Sequence, residues 1–126
     1  MKEMKYFLLK PVLCLSLLSF AVVVAQGQEQ ARAQTSRLVV SFYSICCGID
    51  QQAQESFDKF IKRYEKSKRK QLARATVHWG REGEIDYCLP LSELSAKERK
   101  SFVSQVRSLL RKSKLVHIDE NVACRS

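Results

Sequence analysis

Two cysteines stand side by side in the stretch Tyr43-Ser44-Ile45-Cys46-Cys47-Gly48-Ile49-Asp50. Adjacent sulfurs can serve as a redox pair, as part of a metal site, or as structural sulfurs bridged to each other or to a distant cysteine. Thioredoxin-like chemistry would show a Cys-x-x-Cys spacing, which is absent. A metal site would draw on Cys46, Cys47 and His78, with Glu82 or Glu84 as a fourth ligand. Zinc asks for four converging ligands, and sequence neighbours rarely aim at one ion. If Cys46 and Cys47 were oxidised together, they would close a strained ring that is easily reduced.

A second group of chemically capable residues is Gly80-Arg81-Glu82-Gly83-Glu84, followed by Asp86. Strand alternation would set Glu82, Glu84 and Asp86 on one face, where they gather a cation or repel one another. Acid–base work would need a pocket that shifts their pKa values, and a hairpin tip is ordinarily too exposed for that. His78 and His117 have no histidine near them in sequence. No Ser-His-Asp order, phosphate loop or glycine-rich cofactor fingerprint occurs. No catalytic residue and no cofactor is therefore assigned.

The elements that must position these residues are legible from hydrophobic spacing. Leu38 to Ile45 is rich in β-branched and aromatic residues, as a strand requires. Asp50 can cap the following helix, whose apolar stripe is Ala53, Phe57, Phe60, Ile61 and Tyr64, fading near Lys70. Leu72 to Trp79 and Glu84 to Leu89 alternate around the glycine-bracketed tip, which spells a hairpin. This alternation places His78 opposite Trp79, on the face that no helix covers. Ser95 and Glu98 form a capping box ahead of a helix with Phe102, Val103, Val106, Leu109 and Leu110 on one side. Leu115 to Ile118 makes a short last strand.

The order βαββαβ predicts an α+β, ferredoxin-like domain: a four-stranded antiparallel sheet, spatial order 4-1-3-2, with both helices on one face. Chain direction then sorts the sulfurs. The first strand carries Cys46 and Cys47 to one edge of the sheet. The third and fourth strands end at the other, bringing Cys88 and Cys124 together if the tail curls across the first strand. A Cys88–Cys124 disulfide is expected, although four cysteines allow three pairings. The far edge then collects Cys46, Cys47, Gly48, His78 and the tip Gly80, Arg81, Glu82, Gly83 and Glu84, with the end of the second helix (Arg111, Lys112, Lys114) beside them. A helix N-terminus and nearby cations would favour a thiolate there.

The ends and the charge bound the function. Lys2, Lys5 and Lys10 precede an apolar run from Val12 to Ala25 closing in Val23-Val24-Ala25, the order of a secretory signal peptide. The run is shorter than the roughly 20 residues of a bilayer span. Residues 1–25 are read as the signal (Cys14 leaving with it), 26–37 as a disordered polar lead-in and 38–126 as one small domain. Ala31-Arg32-Ala33 offers a second cut, after Ala33. No transmembrane segment is expected after processing, and the destination is periplasmic or extracellular. From Gln26 onward the chain keeps nineteen basic and twelve acidic residues, a net charge of +7.

"KRYEKSKRK" (Lys62 to Lys70) is the main basic run; it complements a helix C-terminus, and it can also act as an electrostatic handle. Export argues against nucleic acid as partner. The expectation is a disulfide-stabilised binding module for a macromolecule or anionic envelope component, contacting it by the far edge or the helix-free sheet face. The alternative is an envelope thiol-redox or metal protein acting through Cys46 and Cys47.

Overall fold

The computed structural model describes residues 35–126. Residues 1–34, which include the segment read as a signal and both candidate cleavage points, lie outside the described residues. The elements are β1 (Thr35–Phe42), α1 (Gln51–Lys68), β2 (Ala75–Trp79), β3 (Glu84–Leu89), α2 (Ala96–Leu110) and β4 (Val116–Ala123). Every pairing is antiparallel, and the strand order is β2-β3-β1-β4, the expected ferredoxin-like arrangement.

Local chemistry explains where the elements begin. Asp50 caps α1 by accepting the Ala53 N–H at 2.9 Å, and Arg69 closes the helix in the left-handed region at φ 52°. In α2 the Ser95 hydroxyl accepts from the Glu98 N–H while the Glu98 carboxylate accepts from the Ser95 N–H, so the capping box is complete. Such a cap contributes about 1 kcal/mol.

The core lies between the helices and one sheet face. Leu38, Val40 and Phe42 of β1 and Ile85, Tyr87 and Leu89 of β3 meet Phe57, Ile61 and Tyr64 of α1 and Phe102, Val106 and Leu110 of α2. Phe57 packs edge-on to Tyr87 at 5.2 Å between ring centres, and Tyr64 edge-on to Phe102 at 4.8 Å. Each fully buried aromatic or aliphatic side chain there is worth about 1.5–3 kcal/mol of transfer free energy.

Three strands differ in their bounds from the sequence expectation, β2 among them, which begins at Ala75 rather than Leu72. β1 starts at Thr35, inside the segment read as lead-in, and ends at Phe42 rather than Ile45. β4 continues past Ile118 to Ala123. The extensions are mutual: Thr35 pairs with Ala123 and Ser36 with Val122, so each strand end is held by the backbone of the other.

The helix-free face is not bare. All six residues of β3 are buried, including Glu84, Asp86 and Cys88, which alternate onto that face. The C-terminal tail covers Cys88 and Asp86, while Glu84 is enclosed by the hairpin tip. Cys124 is disulfide-bonded to Cys88, with α-carbons 5.8 Å apart, as the chain directions predicted. To reach Cys88 from β4 the tail must cross β1, and Val39, which pairs with both Cys88 and Asp119, is 4% exposed. Beyond the bridge, Arg125 reaches Asp86 of β3 and lies over the indole of Trp79 on β2.

Candidate functional site

The far edge assembles around one carboxylate. Cys47 at φ 70° and Gly48 at φ 100° are consecutive left-handed residues. That turn directs the N–H groups of Cys47 and Gly48 at the Glu82 carboxylate, which also accepts the Ser44 hydroxyl. Successive N–H groups curled in this way make an anion cradle. The Ser44 bond, aided by the two N–H groups and opposed by some desolvation, holds Glu82 below its ordinary pKa. Glu82 thus fastens the hairpin tip to the cysteine loop. The second helix arrives as expected: the Tyr43 hydroxyl donates to the Lys114 carbonyl at 2.8 Å.

The tip has its own internal support. Glu84 accepts the Glu82 N–H at 2.8 Å, and its carboxylate fills the space where a Cβ on Gly80 would stand. Gly80 also has φ 66°, so both the backbone and the packing require glycine there. Glu84 is 8% exposed, which corrects the picture of a fully solvated turn. Gly83, at φ 89°, meets no neighbour, and Arg81 and Glu82 are exposed.

His78 does not join this cluster in the expected way. Trp79 pairs with Glu84 on the helix-free face, where its indole N–H donates to Asp86 at 2.8 Å. His78 pairs with Ile85 and so belongs to the helix-bearing face, at an exposed edge strand. The physical reason is the tail: Trp79 is sheltered by Arg125, not by a helix. Among the described residues no group of three or more His, Cys, Asp or Glu side chains converges on a metal position, so Cys46, Cys47 and His78 are not brought together.

Cys46 and Cys47 are both exposed and unbridged, next to Ile45, which is 82% exposed. The expectation of an activated thiolate is corrected for Cys47. Its pKa is raised, by hydrogen bonding with Cys46 first, then by desolvation and by the negative charge of Glu82. The cations at the end of α2 have no part in that balance. The loop supplies accessible sulfur without the electropositive setting that would ionise Cys47.

A second surface stands out by charge. The segments 51–70 and 96–114, which hold the two helices and their C-terminal turns, contain fourteen basic and four acidic residues. All four acids are engaged. Glu55 pairs with Lys59, Glu65 with Arg74 and Glu98 with Lys70, while Asp58 accepts the Tyr87 hydroxyl at 3.3 Å. The remainder of residues 35–126 has four basic and seven acidic residues. Lys59, Lys62, Arg63, Lys66, Lys97 and Lys100 are exposed on the helix layer.

Sequence reasoning identified the α1 run and the cations that follow α2 (Arg111, Lys112, Lys114), but not Lys97, Arg99, Lys100 and Arg107, which are scattered through an amphipathic helix. Arg125 was missed as well, since a single arginine in a polar tail gives no periodic signal. No helix among the described residues is long and apolar enough to cross a membrane. Compared with models of protein families, with curated proteins and with solved structures, the chain matches none.

Proposed function

We propose that this is an exported binding module that docks its basic helix layer on an anionic surface of the cell envelope. The observation that carries the reading is the charge division: basic residues dominate the helix layer, whose acids are all occupied, while the sheet side and its loops carry a net negative balance. The far edge that first suggested a contact surface is stitched together by its own carboxylates, and the tail occupies the helix-free face at Cys88, Asp86 and Trp79. The helix layer is the large surface left with unspent charge.

Near an anionic bilayer each Lys or Arg is worth about 1 kcal/mol. Five such contacts would give about 5 kcal/mol, a dissociation constant of order 10⁻⁴ M. Attraction of that size is reversible and falls with salt. The test is cosedimentation of the naturally processed protein with phosphatidylglycerol-containing and pure phosphatidylcholine vesicles across a salt series. Binding confined to the anionic vesicles and weakening with salt is expected; binding indifferent to lipid charge or to salt would remove the proposal.

The exposure of both Cys46 and Cys47 favours one further reading, thiol exchange with an envelope partner. Its test is thiol counting on the native protein. Two rapidly alkylated sulfurs at these positions support it, and none counts against it.

A further inference from the structure

One face of α2 forms a groove with the adjoining sheet edge. Ala96, Arg99, Lys100, Val103, Ser104 and Arg107 recur at helical spacing along it, and Arg37 of β1 and Glu120 of β4 close the opposite side. The cavity measures about 530 Å³. Four cations from two distant parts of the chain converge on it, against a single acid.

Each arginine is positioned by one bond and keeps donors to spare. Arg37 Nη1 donates to Asn121 Oδ1 at 2.9 Å, Arg99 Nη1 to the Leu94 carbonyl at 2.8 Å, and Arg107 Nη2 to Glu120 Oε1 at 2.9 Å. A guanidinium has five N–H donors, so most remain available to a ligand. Glu120 is already taken by Arg107, and Lys100 is exposed with no ion pair among the described residues. Fixed forks approaching from both walls suit a tetrahedral phosphate, whose oxygens accept from several directions, better than a planar carboxylate, which takes one fork. Ala96 and Val103 lie between the cations, so the groove also offers an apolar strip beside its charge.

We infer that this groove is a specific subsite for the phosphate of an anionic lipid, its cations holding the headgroup and its Ala96–Val103 strip receiving the start of the acyl region. The inference rests on the docking reading above and deepens it. Diffuse attraction by the helix layer delivers the protein to the surface, and the groove selects phosphate there.

Two variants of equal charge loss separate the two ideas. Lys100→Gln with Arg107→Gln removes cations of the groove. Lys59→Gln with Lys62→Gln removes as much charge from exposed α1. Circular dichroism confirms that both are folded. Affinity for phosphatidic acid vesicles is expected to fall at least tenfold in the groove variant and no more than about threefold in the α1 variant. Equal losses would overturn the subsite and leave the docking reading standing; no binding by the unmodified protein would overturn both.

A soluble arm identifies the source of the phosphate. Titration with dihexanoyl phosphatidic acid, followed by NMR, should shift the amides of Ala96 to Arg107, and inorganic phosphate at the same concentration should not. Equal response to inorganic phosphate would overturn the lipid assignment in favour of free phosphate. No response to either probe would overturn the subsite.

Discussion

The guanidinium carbon of Arg125 lies 4.0 Å from the centre of the Trp79 ring, and its Nε donates at 3.2 Å to Asp86, the same carboxylate that accepts the Trp79 indole N–H. Three residues from three parts of the chain thus lock around one buried acid. Asp86 is 3% exposed and needs both donors, because an uncompensated buried carboxylate is costly. The disulfide brings the tail to β3, and Arg125 carries it on to β2. Together they cover Cys88, Asp86 and Trp79 on the sheet face opposite the helices.

Replacing Arg125 by Ala should therefore cost about 1–2 kcal/mol. The figure is below that of a fully buried pair because the Arg125 side chain is half-exposed. It should also shift the Trp79 emission, since the only tryptophan of the chain loses its stacked cation. Arg125→Lys should recover part of the stability, but not the emission, because an ammonium cannot stack as a planar guanidinium does. An unchanged spectrum in the alanine variant would show that the tail does not rest on the indole in solution.

The Cys88–Cys124 bridge spans a sequence separation of 36 residues. By the chain-entropy argument such a loop contributes about 4 kcal/mol. For a domain of this length that corresponds to a fall in Tm of about 15–30 °C when both cysteines become alanine. Thermal unfolding monitored at Trp79 checks this, and the folded double variant should already show the emission change of Arg125→Ala. A stability loss without that change would mean that Arg125 holds its place unaided by the bridge.

How far the sequence reached can be argued residue by residue. Leu38, Val40 and Phe42 alternate, Phe57, Ile61 and Tyr64 recur with the helical period, and Asp50 and Ser95 announce their helices. These are short-range signals, and they suffice for the fold. The disulfide was also legible, because strand direction alone sets Cys88 and Cys124 on the same side of the molecule. Trp79 and His78 show the limit. Alternation says which residues share a face but not what covers that face, and here a two-residue tail contact does the covering. Glu84 was read as solvated because alternation does not show that the hairpin tip folds its Gly80 and Glu82 backbone over that carboxylate. Thr35 to Arg37 escaped because their polar side chains give no strand signal and their partners Val122 and Ala123 lie beyond the last alternating segment. The groove was out of reach, since nothing in the sequence signals that Arg37 will lie beside Lys100.

The cysteine loop yields a prediction with a definite sign. Glu82 raises the pKa of Cys47, so neutralising it should make the thiolate easier to form. Glu82→Gln is expected to speed alkylation of Cys47 near pH 8 by about 2–3-fold, a modest factor because water screens an exposed charge. Ser44→Ala separates charge from clasp: it removes the hydroxyl that holds Glu82 below its ordinary pKa while the carboxylate remains ionised at pH 8. That variant should leave the rate near the parent value. Site-resolved mass spectrometry of alkylation time courses distinguishes Cys46 from Cys47, and a rate unchanged by Glu82→Gln would rule out electrostatic control.

The capping box of α2 supplies the pH prediction. The Glu98 carboxyl is held down to about 2 by the Ser95 N–H first, then by the Lys70 ammonium and the Ser95 hydroxyl. Its unfolded value is about 4.3. A group whose folded pKa is depressed stabilises the fold fully above the unfolded pKa and loses that contribution as pH falls toward the folded one. The stability difference between the parent and Glu98→Gln should therefore be constant from about pH 7 to 5 and shrink steadily between about pH 5 and 2. Denaturant midpoints measured across that range test it. Lys70→Met should move the folded pKa of Glu98 upward, so the decline ends at a higher pH. A parent-to-variant difference that stays level down to pH 2 would show that Glu98 titrates alike in both states, and that the α2 cap is held by its neutral hydrogen bonds alone.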